Sequence, residues 1–261
     1  MQELAKALRL HFRTYELKDT FHHHHPYKPF IPAGSRKIIV GTLPPPRFST
    51  RELKERDVDF CYGSQDGMLW PVLERIYRLK LLYDNSLAAV RQRKEFLRKH
   101  HLGICDIVES CLRRKMDASD LGMEQIQCRD ILGEIKRHPK VDTLLFMGGN
   151  SKNGPEYLFR KEVKKHGLYL ECRRRRIPKV HSIDFTGRSI LTISLTSPSN
   201  AANRAIGSTQ HYKTRRQQNP SYSTFDYRID QYREIFIEER YLGDDFYSLE
   251  DDPGFLAKLS L

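Results

Sequence analysis

Hydrophobic residues recur along this chain in two spacings that predict alternating strands and helices. Short apolar runs rich in β-branched residues predict buried strands at 37–41, 102–106, 141–147 and 190–195. Apolar positions at helical spacing predict helices at 2–16, 67–81, 86–101, 155–166 and 226–240. Strands that alternate with helices favour an α/β three-layer sandwich, in which helices cover both faces of a central, mainly parallel sheet.

Four further segments complete the predicted organisation. Residues 18–36 are rich in His, Pro and Gly and are predicted to form a loop. Ser119-Asp120 is a candidate cap for a helix that runs to about His138. A hairpin is expected from 168–172 and 177–184, around the run Arg173–Arg176. The polar, basic segment 207–224 is expected to be a mobile surface loop.

The bulk composition favours one soluble domain over residues 1–261. A chain of 261 residues with 39% hydrophobic content supplies one sizeable core. No run of 18 apolar residues predicts a membrane span, and the first residues lack the apolar stretch of a secretory signal. The cysteines show no Cys-x-x-Cys spacing, which argues against zinc, iron–sulfur and disulfide frameworks and favours the reducing cytoplasm.

The charge of the chain suits a polyanionic partner. The formal net charge is +12 and the sequence pI is about 9.5. The positive charge concentrates at 91–99, 113–115, 173–176 and 213–216, whereas the stretch from Asp244 to Asp252 is acidic. Such clusters fit a DNA-binding or an RNA-binding protein, and each is also compatible with an ordinary solvated face.

The first predicted strand ends in a proline-rich loop. The run Ile38–Val40 is followed by Gly41, and Pro44–Pro46 cannot continue a strand or enter a helix interior. The loop is therefore rigid and lies at the carboxyl end of a strand, where ligands bind in open α/β sheets. A stiff connector is the alternative interpretation.

Four motifs in order resemble the uracil-DNA glycosylase superfamily, nearest its hypoxanthine-DNA glycosylase-like branch. That branch has Gly-Ser-Phe-Pro-Ser where this chain has Gly41–Pro45, and Tyr-Gly-His-Pro-Arg-Asn-x-Phe-Trp where this chain has Tyr62–Trp70. The stretch Leu102–Arg114 follows, and a Ser-Pro-Ala-Asn loop corresponds to Ser197–Asn200. The resemblance covers roughly residues 20–205, ahead of the basic segment 207–224 and the C-terminal helix and tail at 226–261.

The resemblance implies the uracil-DNA glycosylase-like fold and a monofunctional DNA glycosylase. Such an enzyme flips a deaminated or modified base out of the helix, hydrolyses its N-glycosidic bond and leaves an abasic site. The expected protein is a cytoplasmic monomer that needs no cofactor. Hypoxanthine and modified cytosine are the candidate bases, and hypermodified phage DNA would imply an antiviral role. The alternative is a catalytically inactive DNA-binding module on the same fold.

Two carboxylates are the candidate catalytic residues. Leu43 occupies the position at which many family members carry a carboxylate, so Asp66 is a candidate for positioning water. Asp66 as the N-cap of the following helix is the alternative. Asp106 stands where uracil-specific relatives carry an asparagine, and an acceptor there favours a base that presents N–H donors. A structural Asp106 that bonds backbone amides is its alternative.

The remaining candidates line the base pocket or bind DNA. The predicted base pocket comprises Gly41, Thr42, Leu43, Pro44, Tyr62 and Asn150. The predicted DNA contacts are Arg47, Ser197, Pro198, Ser199, Asn200, Arg204, Lys213, Arg215 and Arg216. The resemblance places Leu195 at a histidine position of uracil enzymes and Ser199 at the position of their apolar wedge. No metal is expected at His22–His25, although one of these histidines is a candidate for lining the pocket.

Overall fold

A computed structural model of the protein describes residues 20–239. The helix predicted at 2–16 and the acidic stretch from Asp244 to Asp252 lie outside these residues. Across the described range, every helix is too short or too polar to cross a bilayer.

The centre of the fold is a six-stranded sheet with the strand order 3-2-6-9-8-7. Its strands are β2 (Lys37–Val40), β3 (Leu102–Ile104), β6 (Thr143–Phe146), β7 (Glu171–Arg174), β8 (Lys179–Phe185) and β9 (Arg188–Ser194). Strands β3, β2, β6 and β9 are parallel to one another, and β8 and β7 continue the sheet in antiparallel pairing. The predicted central, mainly parallel sheet is confirmed.

Helices cover both faces of this sheet. They are α1 (Pro46–Ser49), α2 (Leu69–Tyr77), α3 (Leu87–Lys99), α4 (Ile131–Arg137), α5 (Pro155–Lys165), α6 (Asn203–Ser208), α7 (Gln210–Gln218) and α8 (Thr224–Phe236). Ile39 packs into one core together with residues of α2, α3 and α8, whereas its neighbours Ile38 and Val40 pack into a second core with α4 and α5. This alternation is the period of a strand that is buried on both faces, and it confirms the three layers.

A second sheet contains three strands that the sequence pattern did not predict. β1 (Phe21–His24), β4 (Val108–Arg113) and β5 (Met123–Cys128) form an antiparallel sheet in the order 1-4-5. The prediction of a loop at 18–36 is therefore wrong for β1, which pairs along β4. The sequence did not reveal β1 because the segment is rich in His and only some of its side chains are buried.

The helix predicted from Ser119 to His138 is wrong. A single 3-10 turn at Asp120–Gly122 leads into β5, and α4 begins only at Ile131. The side chain of Asp130 accepts a hydrogen bond from the backbone N–H of Gly133 and so fixes the start of α4. The pairing of β5 with β4 overrides the local signal for a longer helix.

The prediction of a mobile loop at 207–224 is also wrong, because helix α7 (Gln210–Gln218) occupies half of this segment. Tyr212 of α7 is buried with Ile206, Tyr222 and Tyr227 in a small cluster of its own. The helix is capped by Thr209, whose hydroxyl accepts from the N–H of Tyr212. Tertiary packing of tyrosines therefore stabilises a segment whose composition is otherwise that of a loop.

Candidate active site

The carboxyl ends of the parallel strands meet at one edge of the central sheet. Just beyond β6, the N–H of Met147 donates to the carbonyl of Val40, and just beyond β9 the N–H of Leu195 donates to the carbonyl of Phe146, both at 2.9 Å. The exits of β2, β6 and β9 are therefore side by side. This edge is where open α/β sheets bind ligands.

A cleft of about 750 Å³ opens at this edge. Its walls come from residues 147–149 after β6, residues 194–197 after β9, and the turn at 118–121 that leads into β5. Lys152 and Lys179 also line the cleft, and neither forms an ion pair with another described residue. The volume falls within the usual range for small-molecule sites.

Asp120 supplies a carboxyl group to the wall of this cleft. The hydroxyl of Thr42, in the loop after β2, donates a hydrogen bond of 2.7 Å to Oδ1 of Asp120. Burial raises the pKa of Asp120 above its ordinary value, and the nearby carboxyl group of Asp106 adds to the rise. The Thr42 hydrogen bond and the charge of Arg113 act in the opposite direction, since both stabilise the ionised form.

The backbone of the Asp120 turn is held from two sides. The guanidinium of Arg113, whose residue is 1% exposed, donates a 2.6 Å hydrogen bond to the carbonyl of Ser119. From the loop after β6, the amide of Asn153 donates to the carbonyls of Asp120 and Met123 at 2.9 and 3.1 Å. These contacts place Asp120 at the cleft without using its side chain.

Asp106 lies at the exit of β2 and ties two distant segments together. Its Oδ1 accepts a 2.8 Å hydrogen bond from the backbone N–H of Gly41, and its Oδ2 lies 2.9 Å from Nε2 of His25. The N–H of Tyr27 donates to Nδ1 of His25, so Nε2 is the nitrogen that donates to Asp106. Asp106 is 4% exposed, and both of its oxygens accept hydrogen bonds within the protein. The hydrogen bond from the N–H of Gly41 is the contact that the structural interpretation of Asp106 describes. A role of Asp106 in recognising the base stays a prediction.

Tyr62 lies directly over the exit of β2. A Cβ atom at Gly41 would collide with the Tyr62 hydroxyl, so only glycine fits beneath the ring. The hydroxyl is buried beside the carboxyl group of Asp106. Burial and then the proximity of Asp106 raise the pKa of Tyr62 well above its ordinary value. The backbone of Tyr62 is left-handed, with φ of 58°, a conformation that is uncommon outside glycine.

Asp66 lies outside the residues that line the cleft. Its carboxylate is exposed and forms long ion pairs with Arg47 at 3.4 Å and Lys54 at 3.5 Å. Arg47 also binds the buried carboxylate of Asp57 through two hydrogen bonds of 2.7 and 2.9 Å. The capping alternative for Asp66 is wrong, because α2 begins at Leu69 and has no side-chain cap.

The predicted Ser-Pro loop does reach the cleft, and it is anchored by a buried arginine. Ser197 and Ser199 both line the cleft, and their hydroxyls are 3.1 Å apart. The side chain of Arg228 in α8 donates to the carbonyls of Ser197 at 2.9 Å and Ser199 at 2.7 Å. The carbonyl of Pro198 accepts a hydrogen bond from the N–H of Met68, which joins this loop to the segment that carries Tyr62.

The remaining predicted residues have varied surroundings. Leu43 is half-buried against the second core and Pro44 is half-buried beside it, while Asn150 is exposed between cleft residues Gly149 and Ser151. Of the predicted DNA contacts, Arg47 is mostly buried, whereas five others are exposed on the surface: Asn200, Arg204, Lys213, Arg215 and Arg216. Arg215 pairs with Asp230 at 3.3 Å, and Arg216 donates to the hydroxyl of Tyr212 at 2.9 Å.

Three residues of the site were missed by sequence reasoning. Asp120 was considered only as part of a helix cap, although Gly122, a residue that weakens a helix, follows it closely in the sequence. Arg113 and Arg228 are buried, and no local pattern distinguishes them from solvated arginines. Among residues 20–239, no group of three or more His, Cys, Asp or Glu side chains is arranged to hold a metal ion.

Comparisons with known proteins give one distant likeness. No protein-family model matches the chain, and no curated protein matches it. One solved structure that resembles it is an NMR structure from Methanosarcina acetivorans, titled as a "putative Uracil DNA glycosylase". The identity is 13% and the TM-score 0.45, over 80% of this chain and 99% of that one. We draw no functional conclusion from a likeness of this strength.

Proposed function

We propose that this protein is a DNA glycosylase of the uracil-DNA glycosylase superfamily, which hydrolyses the bond between a deaminated or modified base and its deoxyribose. The observation that carries the proposal is Asp120, a carboxyl group in a cleft at the strand exits, hydrogen-bonded by Thr42 from the loop after β2. The ordered motifs around that loop and at Ser197–Asn200 support the same assignment.

Hydrolysis of an N-glycosidic bond requires a group that positions water. The target base is first turned out of the helix into the cleft, and the sugar then develops oxocarbenium character. The carboxylate of Asp120 orients a water molecule toward C1′ and accepts its proton as the new C–O bond forms. The base leaves with the electron pair of the broken C–N bond. The Thr42 hydrogen bond stabilises the ionised form that this step needs and so opposes the rise in the pKa of Asp120 that burial causes.

The features of the cleft favour a base other than plain uracil. Leu195 lines the cleft at the position where uracil enzymes carry a histidine, so no imidazole there stabilises a departing uracil anion. Leu43 packs against the core at the position where many family members carry a carboxylate. A space of about 750 Å³ also accommodates a base with a large substituent. Hypoxanthine and modified cytosine, including the hypermodified cytosine of phage DNA, are therefore the proposed substrates, and the last would give the protein an antiviral role.

The DNA backbone would lie along the positive rim of the cleft. Lys152 and Lys179 line the cleft, and Arg204 and Lys213 are exposed beyond it on α6 and α7. The Ser197 and Ser199 hydroxyls provide neutral phosphate contacts. Such contacts fix the position of the duplex without reading its sequence.

The direct test is to incubate the protein with DNAs that each carry a different modified base and to identify released bases by mass spectrometry. We expect one or more free bases together with alkali-labile abasic sites. A protein that binds these DNAs tightly but releases no base from any of them would contradict the proposal.

That outcome would favour a catalytically inactive DNA-binding module, for which the structure offers a specific observation. Asp66 is occupied by ion pairs with Arg47 and Lys54, and the carboxylate that many family members carry in the loop after β2 is replaced by the core-packed Leu43. In this second candidate, Asp120 would only brace the turn at the cleft.

A further inference from the structure

Two large apolar side chains are exposed at the rim of the cleft. Leu121 is 67% exposed in the turn before β5, and Ile177 is 50% exposed in the connection between β7 and β8. Both also line the cleft, so they lie at its opening. Large apolar groups exposed at the edge of a binding site commonly contact the ligand.

The charges around these two residues differ in sign. Ile177 follows the run Arg173–Arg176 and precedes Lys179, which lines the same cleft. Leu121 follows Asp120 directly in the turn at 118–121. A polyanion in the cleft is attracted by Lys179 beside Ile177 and repelled by Asp120 beside Leu121, whereas the carboxylates of Asp230, Glu234 and Glu238 adjoin Ile177 in a separate pocket.

The hairpin that carries Ile177 is firmly attached to the cleft. Lys179 pairs with Ser194 across β8 and β9, and Ser194 is itself a lining residue. Arg174, at the end of β7, lies 3.8 Å from the carboxylate of Glu234 in α8. Ile177 is therefore held at the rim by a paired strand on one side and by α8 on the other.

We infer that Ile177 is the wedge that enters the base stack when double-stranded DNA binds. The inference rests on the proposed function, since it takes DNA as the substrate. Apolar wedges unstack a base step and so favour the flipped state. Ser199, at which the sequence resemblance places the wedge, carries a hydroxyl that lies 3.1 Å from that of Ser197. The wedge is thus provided by the arginine-rich hairpin, in which the exposed Arg175 and the cleft-lining Lys179 contact the flanking phosphates.

The test compares Ile177→Ala with Leu87→Ala, a matched truncation of an exposed apolar residue on α3 that does not line the cleft. The probe is duplex DNA that carries one mismatched hypoxanthine with 2-aminopurine beside it, together with the same strand left unpaired. Wild-type protein is expected to raise the 2-aminopurine fluorescence of the duplex. Ile177→Ala should reduce that rise, and the rate of base release from the duplex, at least about tenfold. Leu87→Ala and the conservative Ile177→Leu should keep both the fluorescence rise and the rate of base release at wild-type levels.

Single-stranded DNA separates this inference from the proposed function. An unpaired base needs no wedge, so Ile177→Ala should release base from single strands as fast as the wild type does. A wild type that gives no fluorescence rise, or an Ile177→Ala variant that matches wild type on the duplex, would overturn the wedge. Failure of the wild-type protein to release a base from single strands or duplexes of any DNA in the modified-base panel would count against the proposed function instead.

Discussion

The hydroxyl of Thr42 donates a hydrogen bond of 2.7 Å to the carboxyl group of Asp120, although 78 positions separate the two residues. Thr42 belongs to the proline-stiffened loop after β2, and Asp120 belongs to the turn that forms one wall of the cleft. The contact therefore fixes the loop and the carboxyl group relative to each other. It also lowers the pKa of Asp120 against the rise that burial causes.

Replacing Thr42 with Val should move the acid limb of the pH–rate profile to higher pH. The proposed reaction uses ionised Asp120, so activity falls as the pH drops through the pKa of this group. Loss of the Thr42 hydrogen bond raises that pKa further, since a bond to the ionised form is removed. Base release measured across a pH series checks this. Thr42→Ser should keep the acid limb of the pH–rate profile at its wild-type position. A shift of this limb to lower pH in Thr42→Val would contradict the assignment of Asp120 as the ionised catalytic group.

Asp106→Asn should destabilise the protein by about 1–3 kcal/mol. Both oxygens of Asp106 accept hydrogen bonds, from the N–H of Gly41 and from Nε2 of His25. The amide of asparagine would turn an NH₂ group toward one of these donors and leave it unpaired. Urea unfolding measures the loss. Asp142→Asn, which removes an exposed pair with Arg36, should change stability by under about 1 kcal/mol. Equal effects of the two substitutions would argue against this role of Asp106.

Much of the fold could be predicted from local patterns, whereas most of the site could not. The run Ile38–Val40 is buried on both faces, so its apolar composition alone reveals a central strand. Helix α7 escaped prediction because Tyr212 finds its partners only in the folded chain. Asp120 was missed for the same reason, since its hydrogen-bond partner Thr42 lies 78 positions away in the sequence. Sequence patterns report local periodicity and do not report which distant side chains meet.

Arg228→Met should loosen the Ser-Pro loop and weaken DNA binding. The guanidinium of Arg228 is buried and donates to the carbonyls of Ser197, Ser199 and Thr224. Hydrogen bonds from a charged group contribute about 1.5–3 kcal/mol each, so we expect unfolding free energy to fall by at least about 2 kcal/mol. Chemical denaturation and DNA titration measure the two effects. Arg233→Met, at an exposed position of the same helix, should preserve both the unfolding free energy and the DNA affinity. If Arg228→Met also left both unchanged, Arg228 would not anchor the Ser-Pro loop.

His23→Gln should reduce the fall in the free energy of unfolding that occurs at acid pH. Burial, followed by the charge of Arg113, lowers the pKa of His23 from 6.5 to about 4. The unfolded chain therefore takes up this proton first, and the free energy of unfolding falls as the pH drops from about 6.5 toward about 4. The loss amounts to about 1.4 kcal/mol per pH unit over that window.

Glutamine retains an acceptor for the Nε–H of Arg113, which His23 accepts at 2.8 Å through Nδ1, and it does not titrate. Unfolding measured at several pH values should show a smaller slope for His23→Gln than for the wild type below pH 6.5. Identical slopes would show that His23 does not contribute to acid sensitivity.

The central claim is that Asp120 positions water for hydrolysis of the N-glycosidic bond. It is tested most directly by the single-turnover rate of base release by Asp120→Asn, with DNA affinity measured in parallel and Asp66→Ala as the matched loss of a carboxylate. We predict that Asp120→Asn loses at least about 100-fold in rate at unchanged affinity, and that Asp66→Ala stays near the wild-type rate. A wild-type rate in Asp120→Asn, or a large loss confined to Asp66→Ala, would contradict the account.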